Sequence, residues 1–160
     1  MNSHIEIPLA GFSLEKVYAA EQSQRTVQAD DLPADPEQRI GFGWDWRILE
    51  PRLFEVMLHI GLGPTKGRPE EVGVSICGVF RIMGEATSVR VLDFVRVQGP
   101  AILMPFVRES ISSLTSRGYF GQVLLPPINV QVLMQQRDPK AATGAKQLES
   151  PEGERLVLGA

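Results

Sequence analysis

Cys77 and His59 are the side chains of this chain best suited to covalent chemistry. A cysteine beside a histidine can be activated as a thiolate nucleophile, provided a third group orients the base. Both residues fall in runs that read as neighbouring strands, but no orienting partner stands at a fitting spacing. The sequence therefore favours the plain reading, a small packing thiol and a surface histidine. The other histidine, His4, lies in the N-terminal arm. A metal site usually draws three or four ligands from His, Cys and carboxylates, and no such spacing occurs. Gly41-Phe42-Gly43 sits inside an alternating run and does not open a helix, so it is no phosphate-cradling loop. Its glycines either leave room for something packing over that face or mark a bulge. Arg108 and Glu109 read as a helix-surface pair.

The elements that must carry these residues show first as period-two alternation. In RIGFGWDWRIL the bulky positions are Ile40, Phe42, Trp44, Trp46 and Ile48. In LFEVMLHIGL they are Phe54, Val56, Leu58, Ile60 and Leu62. In EVGVSICGVFRI they are Val72, Val74, Ile76, Phe80 and Ile82. Each run sets large apolar groups against small or polar ones, as half-buried antiparallel strands do. GPTKGRPE is the loop between the last two, and GFSLEKVYAAEQS is a weaker run fit for an edge strand. EATSVRVLDF reads as a short helix or a further strand crossing.

From Gly99 the period becomes helical, with Ile102, Leu103, Phe106, Val107, Ile111 and Leu114 as the stripe expected to face the sheet. Pro105 is tolerated at a first helical position and costly inside a helix. Two readings stay open: a helix beginning near Met104, or an earlier, kinked one. Gly118 is a natural stop. The other helix side is small: Ser110, Ser112, Ser113, Thr115 and Ser116. It suits either solvent or the close approach of a second helix. After it, Tyr119, Phe120, Val123, Leu124, Leu125 and Ile128 crowd a segment that Pro126 and Pro127 keep from helix. Such a loop either buries itself or offers apolar surface to a partner.

The chain has 160 residues and a net charge of −3, which suits one domain and argues against a nucleic-acid surface. One cysteine cannot form an intrachain disulfide, and the expected compartment is a reducing cytoplasm. No secretory signal is expected, and no apolar run approaches the ~20 residues that span a bilayer. The expected division is a domain over 1–138 and a tail over 139–160, where periodicity ends.

Gln98 to Val130, QGPAILMPFVRESISSLTSRGYFGQVLLPPINV, resembles the signature block of the SecB-type export chaperones. Pro105-Phe106, Arg108-Glu109, Ile111, Arg117-Gly118, Phe120, Pro127 and Asn129 carry the likeness. LFEVMLHIGLG and GVFRI resemble the family's third and fourth strands, and FSLEKVYAAEQS its first. The likeness spans Phe12 to Gln136. It implies an α+β fold: a four-stranded antiparallel sheet with one long helix packed on it and a short C-terminal helix. It implies a homotetramer, a dimer of dimers with the helices between two sheets and Ser110, Ser113 and Ser116 at the interface. It implies an apolar groove holding unfolded or precursor polypeptides, with Phe120, Leu124, Leu125, Pro127, Ile128, Val130 and Leu133 as its candidates. It further implies holdase activity without catalysis, cofactor, metal, nucleic acid or membrane insertion.

The family docks its export motor, SecA, on an acidic outer sheet face. Glu21 matches one such acid, but Arg25 and Gly73 stand where others are expected. Docking is therefore expected to be weak, although the first 39 residues hold seven acids against three bases. Val130 replaces a usual aromatic, and Pro139 limits the last helix to a few turns. Two alternatives remain: a dedicated chaperone of a toxin–antitoxin pair, or a non-chaperone on the same fold that binds a folded partner or an apolar small molecule.

Overall fold

The computed structural model describes residues 11–84 and 88–136. His4 and the tail expected over 139–160 lie outside them. Strand β1 runs Phe12–Thr26, β2 Ile40–Glu50, β3 Leu53–Leu62 and β4 Glu70–Ile82. All pair antiparallel in the order β1-β4-β3-β2. The alternation fixes the two faces of this sheet. Phe54, Val56, Leu58, Ile60 and Leu62 of β3 are buried on the inner face, as are Val72, Val74, Phe80 and Ile82 of β4. β1 is a long edge strand with register shifts at Leu14/Lys16 and Ala19/Glu21. The β2–β3 turn places Arg52 at φ 72°, and its guanidinium donates to the Ile82 carbonyl at 3.0 Å.

The chain after β4 is helical from Ser88, well before Gly99 or Met104. Helix α1, Ser88–Asp93, passes into a wide π-helical turn over Phe94–Gln98 and then into α2, Gly99–Ser116. The Gly99 N–H reaches back five residues to the Phe94 carbonyl. This widening comes just before Pro100, whose ring would crowd the carbonyl four residues earlier in a regular helix. Pro105 does sit inside α2. It lies on the exposed side, where water can take the carbonyl that loses its donor. A short α3, Val130–Gln136, closes the described chain.

The stripe facing the sheet is narrower and rotated from the expected one. Leu103, Met104, Val107, Ile111 and Thr115 are buried, while Ile102 and Phe106 are each 37% exposed. Both sets recur at helical spacing, so α2 is apolar on more than one side. Thr115, expected on the small polar side, turns inward and donates to the Ile111 carbonyl at 2.7 Å. The helix lies close because of Gly78. A Cβ there would stand 2.7 Å from Leu103 Cδ2 and 3.0 Å from Phe80 Cε2. Phe12, Phe54, Phe80 and Phe94 cluster beside this crossing, with the Phe12 and Phe94 ring centroids 4.1 Å apart.

Candidate functional site

Cys77 and His59 share the outer sheet face but do not form a catalytic pair. Cys77 lies opposite Met57 and Tyr18, and His59 opposite Ser75 and Gly43. The His59 Nδ1 is engaged with Ser75 Oγ at 2.7 Å. Burial pushes the Cys77 thiol up from its ordinary value, against a smaller opposing effect of the Tyr18 hydroxyl. A thiol held protonated is a poor nucleophile. Among the described residues, no three His, Cys, Asp or Glu side chains converge as a metal site. Gly41 and Gly43 face outward here in regular register opposite Gly61 and His59, so they mark no bulge. The same face holds a compact polar network. The Tyr18 hydroxyl donates to the buried Glu55 carboxylate, whose other oxygen meets Arg47 Nε at 2.9 Å. Burial, and then that bond to Glu55, raise the Tyr18 phenol well above its ordinary value.

The apolar loop after α2 divides its residues between two tasks. Leu125 and Val130, both 5% exposed, insert into the core. Leu124 is 73% exposed, Pro126 and Pro127 are exposed, and Phe120, Ile128 and Leu133 are half-buried. Of the groove candidates, Leu125 and Val130 thus hold the loop down in the isolated chain, and Leu124 and Pro127 face out. Polar side chains on α2 pin the loop backbone. Thr115 Oγ1 accepts from the Val123 N–H at 2.8 Å, and Arg108 donates to the Leu125 carbonyl at 3.1 Å. Arg108 is therefore more than half of a surface pair with Glu109.

A second apolar surface lies on β2. Helix α2 packs on β3 and β4. The inner face of β2 stays partly open, with Ile40 45% exposed and Phe42, Trp46 and Ile48 half-buried. Trp44 is buried among core residues, yet its indole Nε1 has no hydrogen-bond partner among the described residues. The alternation marked this run as a half-buried strand without showing that its apolar face stays partly open. The signal that marks it was present: two tryptophans and a phenylalanine on one face of what proves to be an edge strand.

The outward side of α2 and the inner side of β1 bound a cavity of about 460 Å³, lined by Val17, Ala19, Ile76, Phe106, Ser110 and Ser113 among others. Ser116 is exposed on the next turn and donates back to the Ser113 carbonyl at 2.8 Å. On the outer face, Glu21 is exposed opposite Ser75. Arg25 is ion-paired with Glu71 across the β1–β4 ladder. Gly73 lies opposite Ser23, whose Oγ would stand 2.9 Å from a Cβ placed there.

Comparison with known proteins places this architecture. The family described as preprotein translocase subunit SecB matches residues 8–141. A protein-export protein SecB of Legionella pneumophila (strain Corby) is 31% identical over 156 residues, covering 91% of this chain and 94% of that relative. One of Chromobacterium violaceum is 33% identical over 144 residues, covering 83% and 92%. Among solved structures, a SecB-like chaperone of Mycobacterium tuberculosis in complex with a ChAD peptide from an antitoxin superposes with a TM-score of 0.56. It is 14% identical and covers 74% of this chain and 91% of that one.

Proposed function

The chain belongs to the SecB family, and on that premise we propose that it holds non-native precursor polypeptides for export in a groove with two apolar walls. It is a chaperone rather than an enzyme. One wall is the loop after α2, which presents Leu124, Pro127 and the half-buried Phe120, Ile128 and Leu133. The other is the open inner face of β2, with Ile40, Phe42 and Trp46. The observation that carries this reading is the division within the loop: Leu125 and Val130 fix it to the core while Leu124 stands 73% exposed. An exposed leucine on a fixed loop offers area to a client without first ordering the loop, which lowers the cost of binding. Burying apolar area is non-directional, so many client sequences fit.

The test is retention of a permanently unfolded protein, reduced and carboxymethylated α-lactalbumin, on the purified chaperone. Capture of the probe with protection of Leu124 and Phe42 peptides supports the groove. No capture, together with one tightly co-purifying folded partner, would sink it. If a single antitoxin-like client co-purifies instead, the dedicated-chaperone reading replaces general export. The antitoxin-bound neighbour supports the shared fold alone.

Assembly is part of the proposal. The cavity between β1 and α2 is apolar at Val17, Ile76 and Phe106, and small at Ser110 and Ser113. That shape suits a second copy packing helix to helix, and a dimer of dimers would place α2 between two sheets. Ser113→Arg should shift the population toward smaller species. Sedimentation of the unmodified protein as a monomer at micromolar concentration would refute the assembly.

Docking of the SecA motor on the outer face is proposed to be weak. Glu21 is free to serve, but Arg25 already neutralises Glu71. A carboxylate at position 73 would need Ser23 to move. Calorimetry finding tight, salt-insensitive binding of the motor's C-terminal tail would overturn this reading.

A further inference from the structure

We propose that Arg68, in the β3–β4 hairpin, is the positioning residue of the apolar loop and sets its capacity to take a client. Its Nη2 donates to two successive loop carbonyls, Phe120 at 2.7 Å and Gly121 at 2.8 Å. Its Nη1 meets Glu70 Oε2 at 3.0 Å, and Glu70 Oε1 accepts from Gln24 Nε2 on β1 at 3.0 Å. The side chains of Arg68 and Glu70 are only 18% and 6% exposed. One guanidinium thus ties the loop to β4 directly and to β1 through Glu70, by charge-assisted bonds that a planar fork makes well and a point charge makes poorly.

Both ends of this tie are shaped to receive it. On the hairpin, the Thr65 N–H donates to the Arg68 carbonyl at 2.8 Å, and Thr65 Oγ1 accepts from the Arg68 N–H at 3.0 Å, so a tight turn fixes the arginine's backbone. On the loop, the Gly121 N–H donates to the Gly118 carbonyl at 3.2 Å and Gly121 takes φ +80°, a conformation that suits glycine. That turn presents its two carbonyls side by side. A Cβ at Gly118, two residues past the end of α2, would stand 2.7 Å from Gln24 Nε2, so a larger residue there would push Gln24 away from Glu70. The Thr115 and Arg108 bonds hold the following residues from the other side. The core grip of Leu125 sets the loop's depth. Arg68 sets the direction in which Phe120, Gly121 and the exposed Leu124 leave the helix.

This proposal rests on the client-holding reading, and its test separates the two. The measurements are amide hydrogen exchange across residues 118–125 and affinity for reduced, carboxymethylated α-lactalbumin, made on the full chain. In Arg68→Met, exchange at Gly121 and Val123 should rise about tenfold while β3 and β4 exchange as before. Probe affinity should fall about tenfold, equivalent to about 1.4 kcal/mol. Arg68→Lys keeps the charge toward Glu70 but lacks the fork, and should give intermediate values. It carries the test if Arg68→Met fails to fold. Unchanged loop exchange would overturn the proposal, as would exchange rising equally through the strands, or a loosened loop with unaltered probe affinity. If the unmodified protein does not hold the probe, the client-holding reading falls, and the exchange measurement still decides whether Arg68 fixes the loop.

Discussion

The inner face of the sheet has two halves that the sequence writes in the same way and the fold uses differently. Over β3 and β4 the alternating side chains lie under α2 and are sealed, with Val56, Leu58, Ile60 and Val74 at 0% exposure. Over β2 the same alternation carries larger, aromatic groups, of which only Trp44 is buried. Coverage, not composition, separates the sealed core from the open face proposed to hold clients. The loop after α2 repeats the contrast within two residues, since Leu125 is sealed and Leu124 is open.

The largest effect that sharpens this contrast is on stability. Leu58→Ala should cost about 2–5 kcal/mol, because a fully packed aliphatic group leaves a cavity. Ile40→Ser, on the open half of the same face, should stay within about 1 kcal/mol of the parent while weakening capture of an unfolded client. Urea denaturation together with probe binding reads both. Equal losses of stability would show that β2 is core after all.

Leu125→Ser should destabilise by about 2–4 kcal/mol, since it loses apolar burial and places a hydroxyl in the core. Leu124→Ser should leave the denaturation midpoint nearly unchanged and reduce client affinity up to about tenfold. If Leu125→Ser folds as well as the parent, the loop is not anchored where the packing indicates.

A smaller effect concerns alkaline pH. Cys77 and Tyr18 have folded-state values raised above their ordinary 9.0 and 10.0, chiefly by burial. Both stay neutral in the fold when the unfolded chain already ionises them, so the folded state binds more protons there. Their stabilising contribution is complete below about pH 8, begins to fall as pH passes their ordinary values and goes on falling until the raised folded-state values are reached. Cys77→Ala and Tyr18→Phe should each flatten that decline in a series of thermal melts. Identical slopes in parent and variants would remove the outer-face network from the explanation.

The smallest expected change is at Arg25. The Arg25–Glu71 pair is solvent-exposed, with side chains 74% and 49% accessible, so Arg25→Ala should alter stability by about 0–1 kcal/mol. It should instead uncover the Glu71 carboxylate and, on the proposed docking face, strengthen any binding of the motor's C-terminal tail at low salt. Unaltered binding would place motor docking elsewhere than on this end of β1.

The strands, the polar and apolar faces of β3 and β4, and the family are legible without the fold. Period-two alternation follows from strand geometry alone, and the block from Pro105 to Asn129 is specific enough to be read without a fold. Gly118 as the helix stop was also legible, because its signal is local. Other features were not, since each depends on contacts between residues far apart in sequence. A short helix near Ser88 was one of the two readings of EATSVRVLDF, but its continuation into α2 through a π-helical turn before Pro100 is something period counting cannot register. Thr115 turns inward because the loop's Val123 N–H needs its oxygen. Arg25 is neutralised by Glu71, 46 residues away, and Arg68 meets the loop 52 residues on. Local spacing shows which side chains share a face. Only the packed chain decides which of those faces is covered, and the uncovered apolar area is where client holding is proposed.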